Sequence, residues 1–222
     1  CFACETPGGD HQRLPDGRYL CRRCAADAIS DPAEAEKLLG EVRDLLCRKL
    51  NFKVDYPIPL RLVADNKSED TPLGASREFG LYMYNGREIY TTPSRLEFWK
   101  KQETSVRREE QSCQIVLLDH LPRVKMAEVM AHELAHDYMQ RRWPYIADQK
   151  IKEGFAEAVA AEYNRLTGQS NWNYRMEKNP DPVYGDGYRM IREWQKRGGW
   201  PEVARQLETE NQKNLPPELR QP

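Results

Sequence analysis

The first long run of patterned residues predicts a helix in the N-terminal quarter of the chain. Its apolar residues recur at spacings of three and four, which places them on one helix face and leaves the other face for solvent. Asp31 is a suitable N-cap, Pro32 suits the first helical position and Glu34 suits a capping box. We expect this helix to end near Lys49 and to connect two modules. The apolar residues are Leu38, Leu39, Val42, Leu45, Leu46 and Leu50.

Alternating apolar positions predict a small sheet after this helix. The alternation is present along residues 58–64. Residues 79–92 predict two strands joined at Asn85-Gly86, a dipeptide typical of a hairpin turn. A further strand fits residues 113–119.

A helical half follows the predicted sheet. It begins near Pro122 and is interrupted at Trp143-Pro144 and at Gly168. The fold class is therefore α+β, a small and mostly antiparallel sheet followed by a helical half. We divide the chain into a four-cysteine unit at residues 1–28, a main domain at residues 29–210 and a loose tail at residues 211–222.

The charge balance excludes several classes of partner. The 222 residues include 34 Lys and Arg against 35 Asp and Glu, a formal net charge of -1, so nothing marks a nucleic acid or a membrane surface as a partner. No stretch approaches the ~20 apolar residues of a membrane span, and no secretory signal opens the chain. The sequence begins at Cys1 rather than at a methionine, so we expect further sequence upstream.

Four of the six cysteines form two C-x-x-C pairs, Cys1/Cys4 and Cys21/Cys24, with sixteen residues between the pairs. This spacing is typical of a structural zinc site with four thiolate ligands. A redox dithiol fits less well, because it usually opens a helix in a larger domain, whereas these residues have no core without a metal. Thiolate ligands indicate a reducing compartment, so we expect a cytoplasmic location.

The residues between the two cysteine pairs predict a hairpin. Pro15-Asp16-Gly17 is a turn signal shortly before the second pair, which suits a zinc-clasped hairpin. The remaining cysteines, Cys47 and Cys113, lie in apolar stretches. We therefore predict that they are buried free thiols.

The strongest functional signal is the H-E-x-x-H motif at residues 132–136, inside a segment without glycine or proline. On a helix, His132 and His136 lie on one face, so both imidazoles can bind one tetrahedral zinc. Glu133 is rotated roughly 100° from that face, toward a water on the metal, which suits a general base. The motif therefore predicts a catalytic zinc that requires a third protein ligand.

A carboxylate is the expected third ligand, because His11 and His120 both precede the motif. The break after the motif helix lets the next helix run back antiparallel, so that Glu153 faces the histidines. Glu157, one turn further on, is the second choice for a ligand and is better suited to support a histidine. Asp137 is another candidate for that supporting role.

Small residues favour a close approach of these two helices. Small faces let two helix axes approach toward the short end of the usual range of about 8–10 Å. A carboxylate of Glu length can then bridge the gap to the metal. The first helix carries Ala127, Ala131 and Ala135, and the second carries Gly154, Ala156, Ala160 and Ala161.

Hydrolysis of a carbonyl also requires a donor for the developing oxyanion, and tyrosine is the natural candidate here. Tyr184 and Tyr188 lie in a glycine-rich turn that opens a helix, where a side chain can project into a cleft. The sequence does not choose between them. A core tyrosine in a structural turn is the alternative interpretation of Tyr184.

The motif, together with Glu153-Gly154-Phe155-Ala156, resembles the gluzincin peptidases, in which the downstream glutamate is the third zinc ligand. The resemblance extends to the plant DA and DA-related (organ-size) peptidases or a bacterial-type homologue, over the chain to about residue 210. Those families have the same features in the same order as this chain. The features are a half-LIM unit, a helix, the motif, the Glu-Gly pair and a stretch like residues 182–189. These are LIM-containing, ubiquitin-activated enzymes that cleave protein substrates, including ubiquitin-pathway components. The resemblance implies a zinc endopeptidase with one catalytic and one structural zinc.

Two features depart from the DA and DA-related pattern. One four-cysteine unit is present instead of a full two-zinc LIM domain, and no ubiquitin-interacting helix is evident, so ubiquitin stays open as a partner. Tyr84 stands where gluzincin aminopeptidases have an amine-binding glutamate, which favours an endopeptidase.

We expect the strand at residues 113–119 to pair with the backbone of a protein or peptide substrate. The alternatives are a zinc-stabilised adaptor that binds a protein partner through its finger, and a zinc aminopeptidase.

Overall fold

The computed structural model of the chain describes residues 1–54, 56–64, 79–91 and 105–219. Residue 92 of the predicted second strand and residues 220–222 of the predicted tail lie outside these ranges. The described elements share one continuous cluster of buried apolar residues. Cys113 is buried as predicted, whereas Cys47 is only half-buried, and neither of the two is in a disulfide.

The N-terminal unit is a short hairpin followed by one helical turn. Strands β1 (His11–Arg13) and β2 (Tyr19–Cys21) pair antiparallel, and α1 (Arg22–Ala25) follows. Gly17 supplies the positive φ of 92° at the turn. The predicted hairpin is therefore confirmed.

A two-stranded sheet joins this unit to the rest of the molecule. Strand β3 (Ala28–Ile29) pairs antiparallel with β7 (Leu121–Pro122). Arg18 adds a second link, because its Nη1 donates to the carbonyl of Asp119 at 2.9 Å. The predicted domain boundary at residue 28 passes through β3, and the division into domains stays a prediction.

Helix α2 (Pro32–Leu50) lies where the apolar pattern predicts a helix. The Asp31 carboxylate accepts a hydrogen bond of 3.2 Å from the amide two residues on, so the N-cap forms as expected. Asn51 follows the last helical residue as the C-cap, with a left-handed φ of 56°. The buried residues of the helix are Ala35, Leu38, Leu39, Val42 and Leu46.

The main sheet has three strands in the order β4-β6-β5. Strand β4 (Leu60–Val63) runs parallel to β6 (Ser105–Leu118), and β5 (Gly80–Thr91) runs antiparallel to it. The predicted hairpin at Asn85-Gly86 is wrong, since β5 continues through both residues with a register shift between them. Because β6 is long enough to pair with both segments, the dipeptide continues the strand instead of turning, and the bulge lies opposite it on β6, where residue 111 is the extra residue.

Strands β4 and β5 are the two edges of this sheet among the described residues. The strand predicted to pair with a substrate, at residues 113–119, belongs to β6, which lies between β4 and β5. Both of its edges are used by neighbouring strands, so that prediction is wrong. Strand β5 instead contacts the first helix of the second half.

Four α-helices lie in the second half of the chain as the structure describes it, up to residue 219. The breaks predicted at Trp143-Pro144 and at Gly168 fall just after the first and second of them. The fourth is two helical segments joined by a kink at Gly198 and Gly199. The helices are α3 (Arg123–Arg142), α4 (Gln149–Leu166), α5 (Tyr174–Lys178) and α6 (Tyr184–Lys213), with short 3-10 turns at Ser170–Asn173 and Pro217–Leu219.

These elements confirm the α+β class, with small sheets followed by a helical half. Helix α6 extends beyond the start of the predicted loose tail. Asn211 is 6% exposed, and its Oδ1 accepts from the amide of Tyr145 at 2.9 Å. Residues 211–213 therefore belong to α6, and Asn211 packs against the segment after α3. Among the helices of the described ranges, none combines the length and apolarity that crossing a membrane requires.

A glycine contact sets how closely α4 and α6 approach each other. A Cβ on Gly154 would lie 2.4 Å from the backbone of Gly187, and a Cβ on Gly187 would lie 2.3 Å from the carbonyl oxygen of Lys150. Gly154 therefore faces α6, and not α3 as the small-residue pattern suggests. The glycine-rich stretch predicted as a turn forms the first turns of α6.

We expect Gly154→Ala to destabilise the fold by about 1–3 kcal/mol, because the added methyl group overlaps the backbone of α6. Urea unfolding followed by circular dichroism measures this change. Gly40→Ala is the matched control, since Gly40 lies in α2 with nothing within 4 Å of an added Cβ, and it should stabilise by up to ~1 kcal/mol. Equal effects of the two substitutions would contradict the proposed close contact.

Candidate metal centre

The two histidines of the motif share one face of α3, with their Nε2 atoms 3.1 Å apart. Glu153 on α4 directs Oε2 to the same point, 3.2 Å from His132 Nε2 and 3.3 Å from His136 Nε2. The structure therefore brings the three residues predicted as ligands together. They form one of two groups of possible metal ligands among the described residues.

The spacing of these three atoms fits a tetrahedral zinc ion. Zinc lies about 2.0–2.2 Å from nitrogen and oxygen ligands, so ligand atoms at tetrahedral positions are roughly 3.3–3.6 Å apart. The observed separations of 3.1 to 3.3 Å approach that range. Three protein ligands leave one of the four positions for water or a substrate.

Protons and a metal ion compete for this centre. Burial alone would raise the pKa of Glu153, but hydrogen bonds with His132 and His136 outweigh burial and hold the pKa below its usual range. Burial alone would lower the pKa of His132, but the hydrogen bond with Glu153 and the nearby carboxylates raise it to about 9. Zinc binding at neutral pH therefore requires the release of a proton.

Two side chains support the centre from outside. Gln149, which was not among the predicted residues, donates from Nε2 to Glu153 Oε1 at 2.6 Å. Its position one helical turn before Glu153 is a signal that the sequence contains, although other polar residues share that spacing. Glu157 Oε1 lies 3.5 Å from His132 Nδ1, and the expected support of that histidine by Glu157 stays a prediction.

Asp137, the other predicted supporting residue, is fully buried. Its carboxylate accepts hydrogen bonds from the hydroxyl of Tyr82 at 2.8 Å, from Arg141 Nε at 3.0 Å and from the hydroxyl of Tyr56. These partners connect α3 to β5. Asp137 therefore fixes the sheet against the motif helix, which is a different contact from the histidine support we expected.

Glu133 lies between the motif helix and β5. Its side chain is buried, and burial raises its pKa. The backbone of Tyr82 hydrogen-bonds to the carboxylate, and a Cβ on Gly80 would lie 2.7 Å from Glu133 Oε1. The glycine therefore lets the strand approach. A carboxyl group with a raised pKa is suited to accept a proton and return it.

A cleft of about 880 Å³ gives access to Glu133 and to the three possible ligands. Tyr184 lines this cleft, whereas Tyr188 is 3% exposed and belongs to the core. The structure therefore brings one of the two predicted tyrosines to the cleft and buries the other. Strand β5 adds Tyr82 and Tyr84 to the lining.

The second group of possible metal ligands consists of the four N-terminal cysteines. Their sulfur atoms lie within 4.8 Å of one another, and the sulfurs of Cys4 and Cys21 are 3.7 Å apart. A Zn–S distance of about 2.3 Å places tetrahedral sulfurs roughly 3.8 Å apart. The cluster therefore fits a zinc ion with no open position.

The thiols of this cluster do not ionise alike. Burial and the neighbouring sulfurs raise the pKa of Cys24 to about 12. Burial acts in the same direction at Cys4, but hydrogen bonds with Thr6 outweigh it and lower the pKa to about 7. The cluster therefore offers a thiolate, the form that binds a metal, at neutral pH.

We expect Gln149→Leu to weaken zinc binding at the histidine centre by about 10- to 100-fold, because Glu153 loses the donor that orients it. Titration with a zinc chelator measures this affinity. Gln206→Leu is the matched control, since Gln206 also donates to a glutamate one turn away, at 2.8 Å, on α6. Unchanged zinc affinity in Gln149→Leu would show that Glu153 needs no such support.

Comparison with known proteins finds relatives of one kind. The chain is 23% identical to Protein DA1 of Arabidopsis thaliana over 241 residues, which cover 86% of the chain and 45% of that protein. It is 26% identical to LIM domain-containing protein HDR3 of Oryza sativa subsp. japonica over 174 residues, 72% of the chain and 34% of that protein. It is 25% identical to Protein DA1-related 2 of Arabidopsis thaliana over 177 residues, 72% of the chain and 33% of that protein. The chain thus spans less than half the length of these relatives.

No protein-family model matches the chain, and no solved structure matches it significantly. The cysteine cluster and the LIM domain in the name of the rice relative both indicate zinc binding. Every relative named above covers at least 72% of the chain. The chain is therefore a homologue of the DA1 and DA1-related proteins.

Proposed function

We propose that this chain is a zinc-dependent endopeptidase of the gluzincin type that cleaves protein substrates. In this proposal His132, His136 and Glu153 hold a catalytic zinc, and the four cysteines hold a structural one. The observation that carries the proposal is the convergence of the three ligand atoms at 3.1 to 3.3 Å, inside an open cleft.

The buried carboxyl group of Glu133 is the proposed general base. When bound, zinc supplies a Lewis acid that lowers the pKa of a water molecule and polarises a carbonyl group. Glu133 takes the proton of the attacking water and passes it to the leaving amine. Tyr184, which lines the cleft, donates to the developing oxyanion. Tyr188 is buried, so we assign it to the core.

Strand β5 is the proposed docking edge for the backbone of the substrate. It is the edge strand next to α3, and its Tyr82 and Tyr84 line the cleft. An extended peptide can add to such an edge through main-chain hydrogen bonds. Because Tyr84 stands where an aminopeptidase would need a carboxylate for the free amine, we favour cleavage within a chain over removal of its first residue.

The proposal is tested by incubating the zinc-loaded protein with a mixture of unfolded proteins and mapping the new N-termini of the products. Internal cleavage that a chelator stops and zinc restores is the expected result. Acetylated and free peptides should be cleaved alike, whereas an aminopeptidase would require a free N-terminus. A protein that holds zinc but cleaves none of these substrates would contradict the proposal and favour a zinc-stabilised adaptor.

A further inference from the structure

The four-cysteine unit forms part of the wall of the cleft. Glu5, which directly follows the first C-x-x-C pair, lines the same cleft as His132 and Glu133. Arg175 and Met176 of α5 line it beside Glu5. The unit that fits a structural zinc therefore also reaches the place where a substrate would lie.

The loop that carries Glu5, residues 1–6, is held firmly against the body of the molecule. Arg175 Nη1 donates to the carbonyl oxygen of Ala3 at 2.9 Å, and Ala3 is fully buried. The ring of Phe2 lies 6.3 Å from the ring of Phe79. The Arg18 guanidinium lies 4.5 Å from the centre of the Phe2 ring. These contacts come from separate parts of the chain, so the loop has a defined position at the cleft.

The backbone of the loop fixes where Glu5 points. Its φ of 57° is left-handed, and its amide donates to the carbonyl of Cys1 at 2.9 Å, which closes the turn around the cysteine pair. The side chain is 72% exposed, and its carboxylate lies 3.9 Å from Arg175 Nε. That long ion pair leaves the Glu5 carboxylate accessible to a cation from solvent or from a substrate.

Two of the basic groups that line the cleft, Arg175 and Lys125, are already engaged. Arg175 donates to the loop backbone. Lys125 forms an ion pair with Glu128 and lies 4.9 Å above the ring of Phe79. Carboxylates outnumber basic side chains among the residues that line the cleft. The cleft lining as a whole is therefore more acidic than basic, and Glu5 is the carboxylate that the four-cysteine unit adds to it.

We propose that Glu5 is a specificity-determining residue, through which the four-cysteine unit selects a lysine or arginine side chain of the substrate. The inference rests on the proposed peptidase function, and it deepens that function by naming the class of substrate. The finger is then part of the substrate site in addition to being a structural module.

The experiment compares the wild type with Glu5→Gln and Glu5→Lys on a library of N-acetylated peptides. Acetylation removes the α-amine, so any preference for a cation reports a side chain. Cleavage is profiled by mapping the products, and binding is profiled separately by selecting peptides on the zinc-loaded Glu133→Gln protein with and without each Glu5 change. Glu36→Gln is the matched control, because Glu36 is exposed on α2 and is not a residue of the cleft.

We expect the wild type to favour lysine or arginine at one fixed position relative to the cleaved bond. Glu5→Gln should reduce that preference by up to about fivefold, which is the scale of an exposed ion pair. Glu5→Lys should turn it toward aspartate and glutamate, and Glu36→Gln should leave it unchanged. Zinc content and circular dichroism show that each variant is folded.

The remaining outcomes separate this inference from the proposed function. Cleavage with the same profile in Glu5→Lys as in the wild type would overturn the role of Glu5 and leave the peptidase intact. Absence of cleavage, together with selected basic peptides whose binding is lost in Glu5→Lys, would overturn the peptidase and support the role of Glu5. If no cleavage occurs, and if neither Glu5→Gln nor Glu5→Lys changes which peptides bind, the peptidase function and the role of Glu5 are both overturned.

Discussion

Glu133→Gln is expected to lower peptide cleavage by about 100- to 10,000-fold while the protein keeps the two zinc ions that we propose for it. The amide has nearly the size of the carboxyl group but cannot take a proton from water. It also leaves the positions of His132, His136 and Glu153 unchanged. Cleavage rates on one fluorogenic peptide and zinc content by mass spectrometry measure the two quantities.

Glu162→Gln is the control for this substitution. Glu162 is 7% exposed, and it pairs with Arg165 on α4. It is not among the residues that line the cleft, so the control should keep nearly all of the activity. If Glu133→Gln retained the wild-type rate with a full complement of zinc, Glu133 would not be the base, and another group of the cleft would have to accept the proton.

Glu153→Ala is expected to reduce the zinc content from the proposed two ions per chain to about one, because the histidine centre loses one of its three proposed ligands. The cysteine cluster keeps its ion and serves as an internal standard in the same sample. Activity should fall with the metal and return in part at high zinc concentration. Glu133→Gln should show no such recovery, so the two substitutions separate loss of metal from loss of the base.

Glu162→Ala provides the comparison for a glutamate removed from the same helix, and it should leave the zinc content unchanged. Two ions retained by Glu153→Ala, with affinity near that of the wild type, would remove Glu153 from the ligand set. Since Glu157 Oε1 lies 3.5 Å from His132 Nδ1, the double variant Glu153→Ala/Glu157→Ala would then test whether Glu157 replaces it.

The features predicted well from the sequence are those whose signal is local. The N-cap at Asp31 and the apolar spacing after it specify α2 without reference to other parts of the chain. The spacing of His132 and His136 likewise fixes their common face on any helix. Glu153 required one further step, the reversal of the chain between two helices, and the break at Trp143-Pro144 signals that reversal.

The features that the sequence did not reveal depend on partners distant along the chain. Asn85-Gly86 is a hairpin turn when the strands on either side pair with each other, and it continues one strand here because both segments pair with β6, which bulges opposite it. Which strand lies at the edge of the sheet is also a property of the whole sheet. Gly80, whose missing side chain makes room for Glu133, carries no local signal of that role.

The contact between Gly154 and Gly187 bears on how mutational screens of this protein should be interpreted. Glu153 adjoins Gly154, so a side chain added at position 187 would push α4 at the residue next to a proposed ligand. A screen that measures only turnover would then group Gly187 with the residues of the reaction centre. Gly187 would affect turnover through its packing against α4 and not through the reaction itself. Pairing each score with a measurement of bound zinc would reveal such positions as determinants of ligand placement.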